Sequence, residues 1–322
     1  MRGDMRIGFI GLGNVGGKLA GSILRNDFDL TVRDLDPELE HSFAQKGATI
    51  GKSPAQIARN VDILITCLPN PEASANVMEG EDGALSGIGS GTIWAEMSTT
   101  DEREVRRLGE QVMAAGGEPI DCPVSGGCHR AATGNISIFA GTERSTFDKA
   151  LPVLTTLGRQ VLHTGPLGSA SILKVLTNYL ASVNLAALAE ALMTAHRAGM
   201  DLNTTYEAIR ISSGNSFVHE TESQVILNGS RDVNFTMDLV VKDLSLFQAI
   251  SDRADVPLEI SPLLLKIFKD GRDRYGGREW STNIVRRLEE ACGDQLRAPG
   301  FPAELVDDEP ECPGCEVVPN KN

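Results

Sequence analysis

Up to about residue 165, short apolar runs alternate with stretches of helical spacing. The runs MRIGFIG, DLTVRD, VDILITCLP, TIWAEMS, GEPIDCPVS, NISIFAG and QVLHTG predict strands. Helices are predicted to begin near Val15, Pro37, Pro54, Pro71, Asp101 and Glu143. Such alternation implies βαβ units, an α/β fold and a mainly parallel sheet, with a mixed edge where the last strands follow one another with fewer helices. After Gly165 the period changes to helical. The segments SILKVLTNYLASVNLAALAEALM, NTTYEAIRISS, DLVVKDLSLFQAISDRA and SPLLLKIFKDGRDRYG predict an all-α second half, opened by one long helix. The expected division is a first domain over 1–165, an all-α domain over 166–296 and a disordered tail over 297–322, where Pro and acidic residues accumulate.

Composition narrows the function. The 322 residues carry a net charge of −14, and such a surface repels phosphate backbones, so nucleic acid is not an expected partner. The N-terminal apolar run passes straight into glycines and has no signal-peptide layout. The long helix is interrupted by Asn178, Ser182 and Asn184, which predicts a buried helix and no membrane span. Six scattered cysteines form no disulfide framework, and a cytoplasmic location is expected. The single CPGC at 312–315 lacks the second pair that zinc requires, so no metal is expected.

Chemistry enters with IGFIGLGNVGGKLAGSI. Gly11, Gly13 and Gly16 form G-x-G-x-x-G between a strand and a helix, with Leu12, Asn14 and Val15 filling the turn. Gly11 permits the tight turn, Gly13 lets the backbone approach a pyrophosphate, and Gly16 lets helix and sheet pack closely. Asp34 ends the next strand, where a carboxylate accepts hydrogen bonds from the adenosine ribose. Its charge favours NAD over NADP; the neighbouring Arg33 could instead hold a 2′-phosphate. Leu68 and Pro69 follow a later strand, and Ser98 and Thr99 another, at positions that line a cofactor crevice; ordinary turn chemistry explains these residues equally well.

In DCPVSGGCHRAATG, Ser125, Gly126 and Gly127 offer a hydroxyl and close backbone N–H groups, a nest for a carboxylate or else a strand bend. Lys174 lies within the long apolar helix. Alone it divides between a lysine that snorkels to the surface and one that lines a cavity. Asn178 stands four residues on, on the same helix face, which favours a site in which a desolvated lysine serves as general acid or base.

Four motifs, GFIGLGNVGGKLA, DCPVSGG, KVLTN and FTMDLVVKDL, in this order and spacing, resemble the β-hydroxyacid dehydrogenases, from Arg6 to about Leu296. The resemblance implies a Rossmann-type N-terminal domain, a long interdomain helix and an all-α C-terminal domain. It implies substrate binding by Ser125, Gly126 and Gly127, catalysis by Lys174 with Asn178 as its partner, a further cation at Lys242 near nicotinamide and substrate, and a nicotinamide-side role for Thr99. The implied substrate is a small anionic hydroxy acid, and the implied assembly a homo-dimer or homo-tetramer. In that mechanism neutral Lys174 takes the hydroxyl proton as hydride passes to nicotinamide, and its ammonium returns the proton in reduction.

Three features depart from the family pattern. GSA at 168–170 replaces the usual G-x-G, Glu96 stands where Asp is frequent, and CHR occupies 128–130 where relatives carry small or apolar residues. His129 and Arg130 therefore suggest a second reading, a sugar-acid dehydrogenase or a reductase for dianionic substrates; exposure of both on a loop is the alternative. Imine reductases share the architecture but generally lack the lysine. A cofactor-binding scaffold without catalysis is the reading from a different class, and the presence of Lys174 argues against it.

Overall fold

A computed structural model describes residues 5–319. The chain divides into two compact units, one formed by residues up to Lys174 together with those from Asp307 onward, the other by Val175–Val306.

The first unit opens with β1 (Arg6–Ile10), α1 (Asn14–Arg25), β2 (Asp29–Arg33), α2 (Pro37–Gln45), β3 (Thr49–Ile50), α3 (Pro54–Asn60), β4 (Ile63–Thr66), α4 (Pro71–Glu79), β5 (Ile93–Glu96), α5 (Glu102–Ala114) and β6 (Glu118–Asp121). These strands lie in the parallel order β3-β2-β1-β4-β5-β6. The order reverses direction between β1 and β4, the switch point at which such sheets bind dinucleotides. Strands buried on both faces explain the near-continuous apolar runs. Ile7, Phe9, Ile63, Ile65, Ile93 and Ile120 pack into one core, while Ile10, Leu64 and Trp94 pack into another.

The unit continues with β7 (Val124–Ser125), α6 (Gly127–Ala132), β8 (Ile136–Gly141), α7 (Arg144–Leu157) and β9 (Gly158–Gly165). β8 runs antiparallel to β6 and β7, which realises the expected mixed edge. Helix α8 (Ser169–Arg197) then begins in the first unit and ends in the second. It is long and apolar enough to cross a membrane by length and composition. Its Leu185, Leu188, Leu192 and Met193 are buried in the core of the second unit.

That unit is helical, as the change of period predicts. It comprises α9 (Leu202–Arg210), α10 (Phe217–Asn228), α11 (Met237–Arg253), α12 (Ile260–Tyr275) and α13 (Arg286–Cys292). Met237, Val240, Val241 and Leu244 of α11 meet Leu264 and Phe268 of α12 in its core.

The tail departs from expectation. Residues from Asp307 return to the first unit, and β10 (Cys315–Val317) pairs in parallel with the edge strand β9. Ion pairs order it: Arg144 holds Glu316 at 2.6 Å and Arg25 holds Glu311 at 3.2 Å. Two of the acidic residues that suggested disorder, Glu311 and Glu316, are thus ones that hold the tail to α1 and α7. The division also differs from that expected, since the first unit includes Lys174 and recovers the chain's last segment.

Candidate active site

The glycine turn follows β1. Gly11 has φ +99°, and a side chain on it would enter the Cys67 carbonyl oxygen; one on Gly16 would enter the carbonyl oxygen of Gly11. Both glycines are required by the protein itself. Gly13 is not: its φ is −61°, and nothing lies within 4 Å of the place a Cβ would take. Gly13 and Asn14 are exposed, Val15 is partly buried and Leu12 is buried. Helices α2, α3, α4 and α5 each begin with a side-chain cap, from Asp36, Ser53, Asn70 and Asp101, whereas α1 begins at Gly13 with none and has no acid in its first turn. An uncapped N-terminus beside open space fits a pyrophosphate.

Asp34 closes over this turn. Its Oδ2 accepts the Leu12 N–H at 2.5 Å and its Oδ1 accepts the Asp36 N–H at 2.9 Å. A carboxylate has further lone pairs, so ribose hydroxyls can still be bound. Arg33 turns to its own sheet edge, donating to the Gly51 carbonyl at 3.2 Å and pairing with Glu40 at 3.9 Å. Leu68 and Pro69 follow β4. The Leu68 N–H is held by Ser98 Oγ at 2.7 Å, and Ser98 in turn donates to buried Glu96. Ser98 is therefore committed within the protein, and Thr99 beside it is partly buried. Burial pushes the Glu96 carboxyl up, against hydrogen bonds from Ser98 that favour its charged form.

The second glycine pair stands between β7 and α6. Gly126 and Gly127 have φ +130° and +87°, conformations that side chains resist, and the partly buried Ser125 precedes them. His129 and Arg130 are on α6 and not on an exposed loop. The His129 ring lies over the Cβ position of Gly127, and the Arg130 stem lies 3.4 Å from that of Gly126. Burial, then the neighbouring Arg130 charge, pushes the His129 pKa down, so its imidazole is neutral near pH 7.

Lys174 occupies the second turn of α8 and is only 8% exposed. Sequence reasoning missed the residue that fixes this helix. Asp121, at the end of β6, accepts the Gly168 N–H and the Ser171 N–H, each at 2.7 Å, and the Ser171 hydroxyl at 2.9 Å. It caps α8 three residues before the lysine and lies just upstream of Ser125. The unusual GSA is also accommodated: Gly168 has φ +87° against Arg106, while Ala170 is fully buried.

Asn178, one turn after Lys174, donates to Asp243 Oδ2 at 2.6 Å, and Lys242 Nζ lies 3.2 Å from Asp243 Oδ1. Asp243 is buried and joins two residues that the sequence singled out separately. The D of KDL was its only signal. No group of His, Cys, Asp and Glu suited to a metal occurs among the described residues.

Residues 6–165 match the family described as the NAD binding domain of 6-phosphogluconate dehydrogenase. Residues 168–288 match that described as NAD-binding of NADP-dependent 3-hydroxyisobutyrate dehydrogenase. The chain is 32% identical to 2-(hydroxymethyl)glutarate dehydrogenase of Eubacterium barkeri, over 91% of this chain and 98% of that protein. It is 29% identical to mitochondrial 3-hydroxyisobutyrate dehydrogenase of Rattus norvegicus, over 82% of this chain and 81% of that protein. The solved structure of 3-hydroxyisobutyrate dehydrogenase from Salmonella typhimurium superimposes with a TM-score of 0.81 at 27% identity, over 88% of this chain and all of that one. With its dinucleotide turn, glycine nest and lysine-bearing helix, the chain belongs to the β-hydroxyacid dehydrogenase family and is an NAD(P)-dependent oxidoreductase acting on CH–OH groups.

Proposed function

We propose that this dehydrogenase interconverts a small β-hydroxy acid and its semialdehyde, with Lys174 as the general acid and base. The observation that carries this reading is the burial of Lys174 on a helix whose start Asp121 ties to the end of β6, just before the nest strand β7. The nicotinamide, when bound, accepts or returns the hydride. The protein's share is positioning and proton transfer. Ser125 and the backbone of Gly126 and Gly127 would hold the substrate carboxylate. Lys174 would take the hydroxyl proton in oxidation and return it to the carbonyl oxygen in reduction. Asp243 accepts from the Asn178 amide and pairs with Lys242; Asn178 would act as partner of Lys174 at the substrate, and Lys242 would lie near nicotinamide and substrate. Gly13, Asn14 and Val15 would hold the pyrophosphate, with Leu12 tying the turn to Asp34, while Leu68, Pro69 and Thr99 would flank the rest of the cofactor.

NAD is the proposed cofactor. Asp34 stands over the turn with a negative charge, while Arg33 is committed to Gly51 and Glu40. The residues of α8 buried in a protein core support a soluble enzyme, the six scattered cysteines favour a reducing, cytoplasmic location, and the exposed Leu173, Leu176 and Leu180 support self-association as a dimer or tetramer.

A second reading concerns the substrate's far end. His129 and Arg130 cover the two nest glycines, so a second carboxylate or other anionic group on the substrate would meet the Arg130 charge and a neutral imidazole. That the Eubacterium barkeri relative is named for a glutarate, a dicarboxylate, favours this reading. Absorbance of the reduced cofactor, followed with purified protein, NAD or NADP and a panel of mono- and dianionic hydroxy acids and semialdehydes, decides between them. Failure of every substrate with both cofactors would reject the enzymatic reading.

A further inference from the structure

The segment 307–316 lies beyond the family match, which ends at residue 288. Two of its carboxylates, Glu311 and Asp307, bind at two helices with something in common. Helix α1 begins at the dinucleotide turn and α6 begins at the glycine nest. The segment holds the opposite ends of both.

Glu311 is the first anchor. Its Oε1 accepts the Asn26 amide at 3.1 Å and lies 3.3 Å from the Ser22 hydroxyl, which it shares with the Thr156 carbonyl at 3.1 Å, and its Oε2 accepts Arg25 Nε at 3.2 Å. All three partners lie in the last turn of α1 or at its cap. Arg25 then reaches across, donating from its second nitrogen to the Ala132 carbonyl at 2.8 Å, at the C-terminal end of α6. Asp307 is the second anchor. Its Oδ2 accepts the Thr133 hydroxyl and, at 2.8 Å, the Asn135 amide, both just past the end of α6. The Glu309 carbonyl takes the same Asn135 amide at 2.9 Å, and Arg159 ties Asn135 to the Pro310 carbonyl. Gly134, with φ +73°, leaves room for Glu311, whose Oε1 lies 3.2 Å from where its Cβ would be. Downstream, Gly314 donates to the Thr155 carbonyl at 2.8 Å, and β10 and the Arg144–Glu316 pair fix the segment to the sheet.

We propose that this C-terminal segment is a strap that sets the mutual position of α1 and α6, and that Glu311 and Asp307 are positioning residues for the cofactor turn and the glycine nest. Both helices are short, so a shift at one end is carried to the other as a rigid-body displacement. Small displacements of binding groups are costly in catalysis, because orientation is the protein's main contribution there. The part concerning the nest rests on the substrate reading given above; the part concerning the cofactor turn does not.

The test uses full-length enzyme carrying Glu311→Ala with Asp307→Ala, and separately the conservative Glu311→Gln. NADH affinity by fluorescence, kcat and KM, and amide exchange over residues 11–25 and 125–135 are read together. The strap predicts roughly three- to thirtyfold weaker NADH binding and higher substrate KM in the double alanine variant. It also predicts faster exchange in both helices and an unaltered pH dependence of kcat. Glu311→Gln keeps the acceptor for Ser22 and Asn26 and should recover most of the NADH affinity. Faster exchange confined to residues 307–319, with NADH binding and KM unchanged, would overturn the proposal, as would a double variant that unfolds while a folded single Glu311→Ala variant, made alongside, binds NADH no more weakly than Glu311→Gln. If instead NADH binding weakens and α6 exchange rises while Ser125→Ala leaves KM unchanged, the strap stands and the nest reading fails.

Discussion

Asp121 holds Ser171 by both its backbone N–H and its hydroxyl, at 2.7 and 2.9 Å. This fixes the first turn of the helix that carries Lys174 to the end of a central strand. The bond joins residues far apart in sequence and places the lysine by a cap, a fixed feature, where an apolar helix alone would leave it free to slide or rotate.

Replacing Asp121 by Asn turns one buried acceptor into a donor that faces N–H groups. The variant should lose about 1–3 kcal/mol of stability. Its kcat/KM should fall roughly ten- to a hundredfold through misplacement of Lys174. Urea unfolding and steady-state kinetics check both. A stability loss with unchanged kcat/KM would reduce Asp121 to a structural cap.

Asp34 predicts cofactor choice. Asp34→Ala removes the carboxylate over the turn and should lower the ratio of kcat/KM with NAD to that with NADP by about tenfold or more. The Leu12 N–H also loses its partner, so binding of both cofactors should weaken somewhat. An unchanged ratio would move recognition away from Asp34.

Glu222, on α10, gives a pH dependence of stability. Burial raises its carboxyl from the ordinary 4.5 to about 8, and its Oε2 has no hydrogen-bond partner among the described residues. The folded state keeps this proton to higher pH than the unfolded chain does. Stability contributed by the protonated form is therefore complete below about 4.5 and is lost progressively as pH rises to about 8. Glu222→Gln mimics the protonated form, so its urea midpoint should exceed that of wild type at about pH 8.5 and approach it at about pH 5. Parallel profiles for the two proteins would show that this carboxylate is not buried on folding.

The first half of the fold was legible because its signals are local. A strand, a glycine turn and a helix such as IGFIGLGNVGGKLAGSI are written within a few residues of one another. Helix α6 was not legible, since six residues after a double glycine carry too little periodicity. β3 has two residues, and β10 lies in an acidic segment where charge and proline outweigh two valines; only pairing with distant β9 makes it a strand. At the site, Lys174 and Asn178 could be paired from helix spacing. Asp121 and Asp243 could not, because their partners Ser171 and Asn178 come close only in the folded chain. Ser98 was legible as a polar loop residue, but its commitment to Leu68 and Glu96 was not.

Lys174→Ala removes the proposed proton-transfer group itself, and NADH affinity and turnover are measured on the same preparation. Removal of the general acid and base should lower kcat by roughly a hundred- to ten-thousandfold while NADH binding stays within about twofold of wild type. A variant that binds NADH normally and turns over its substrate at the wild-type rate would contradict the assignment.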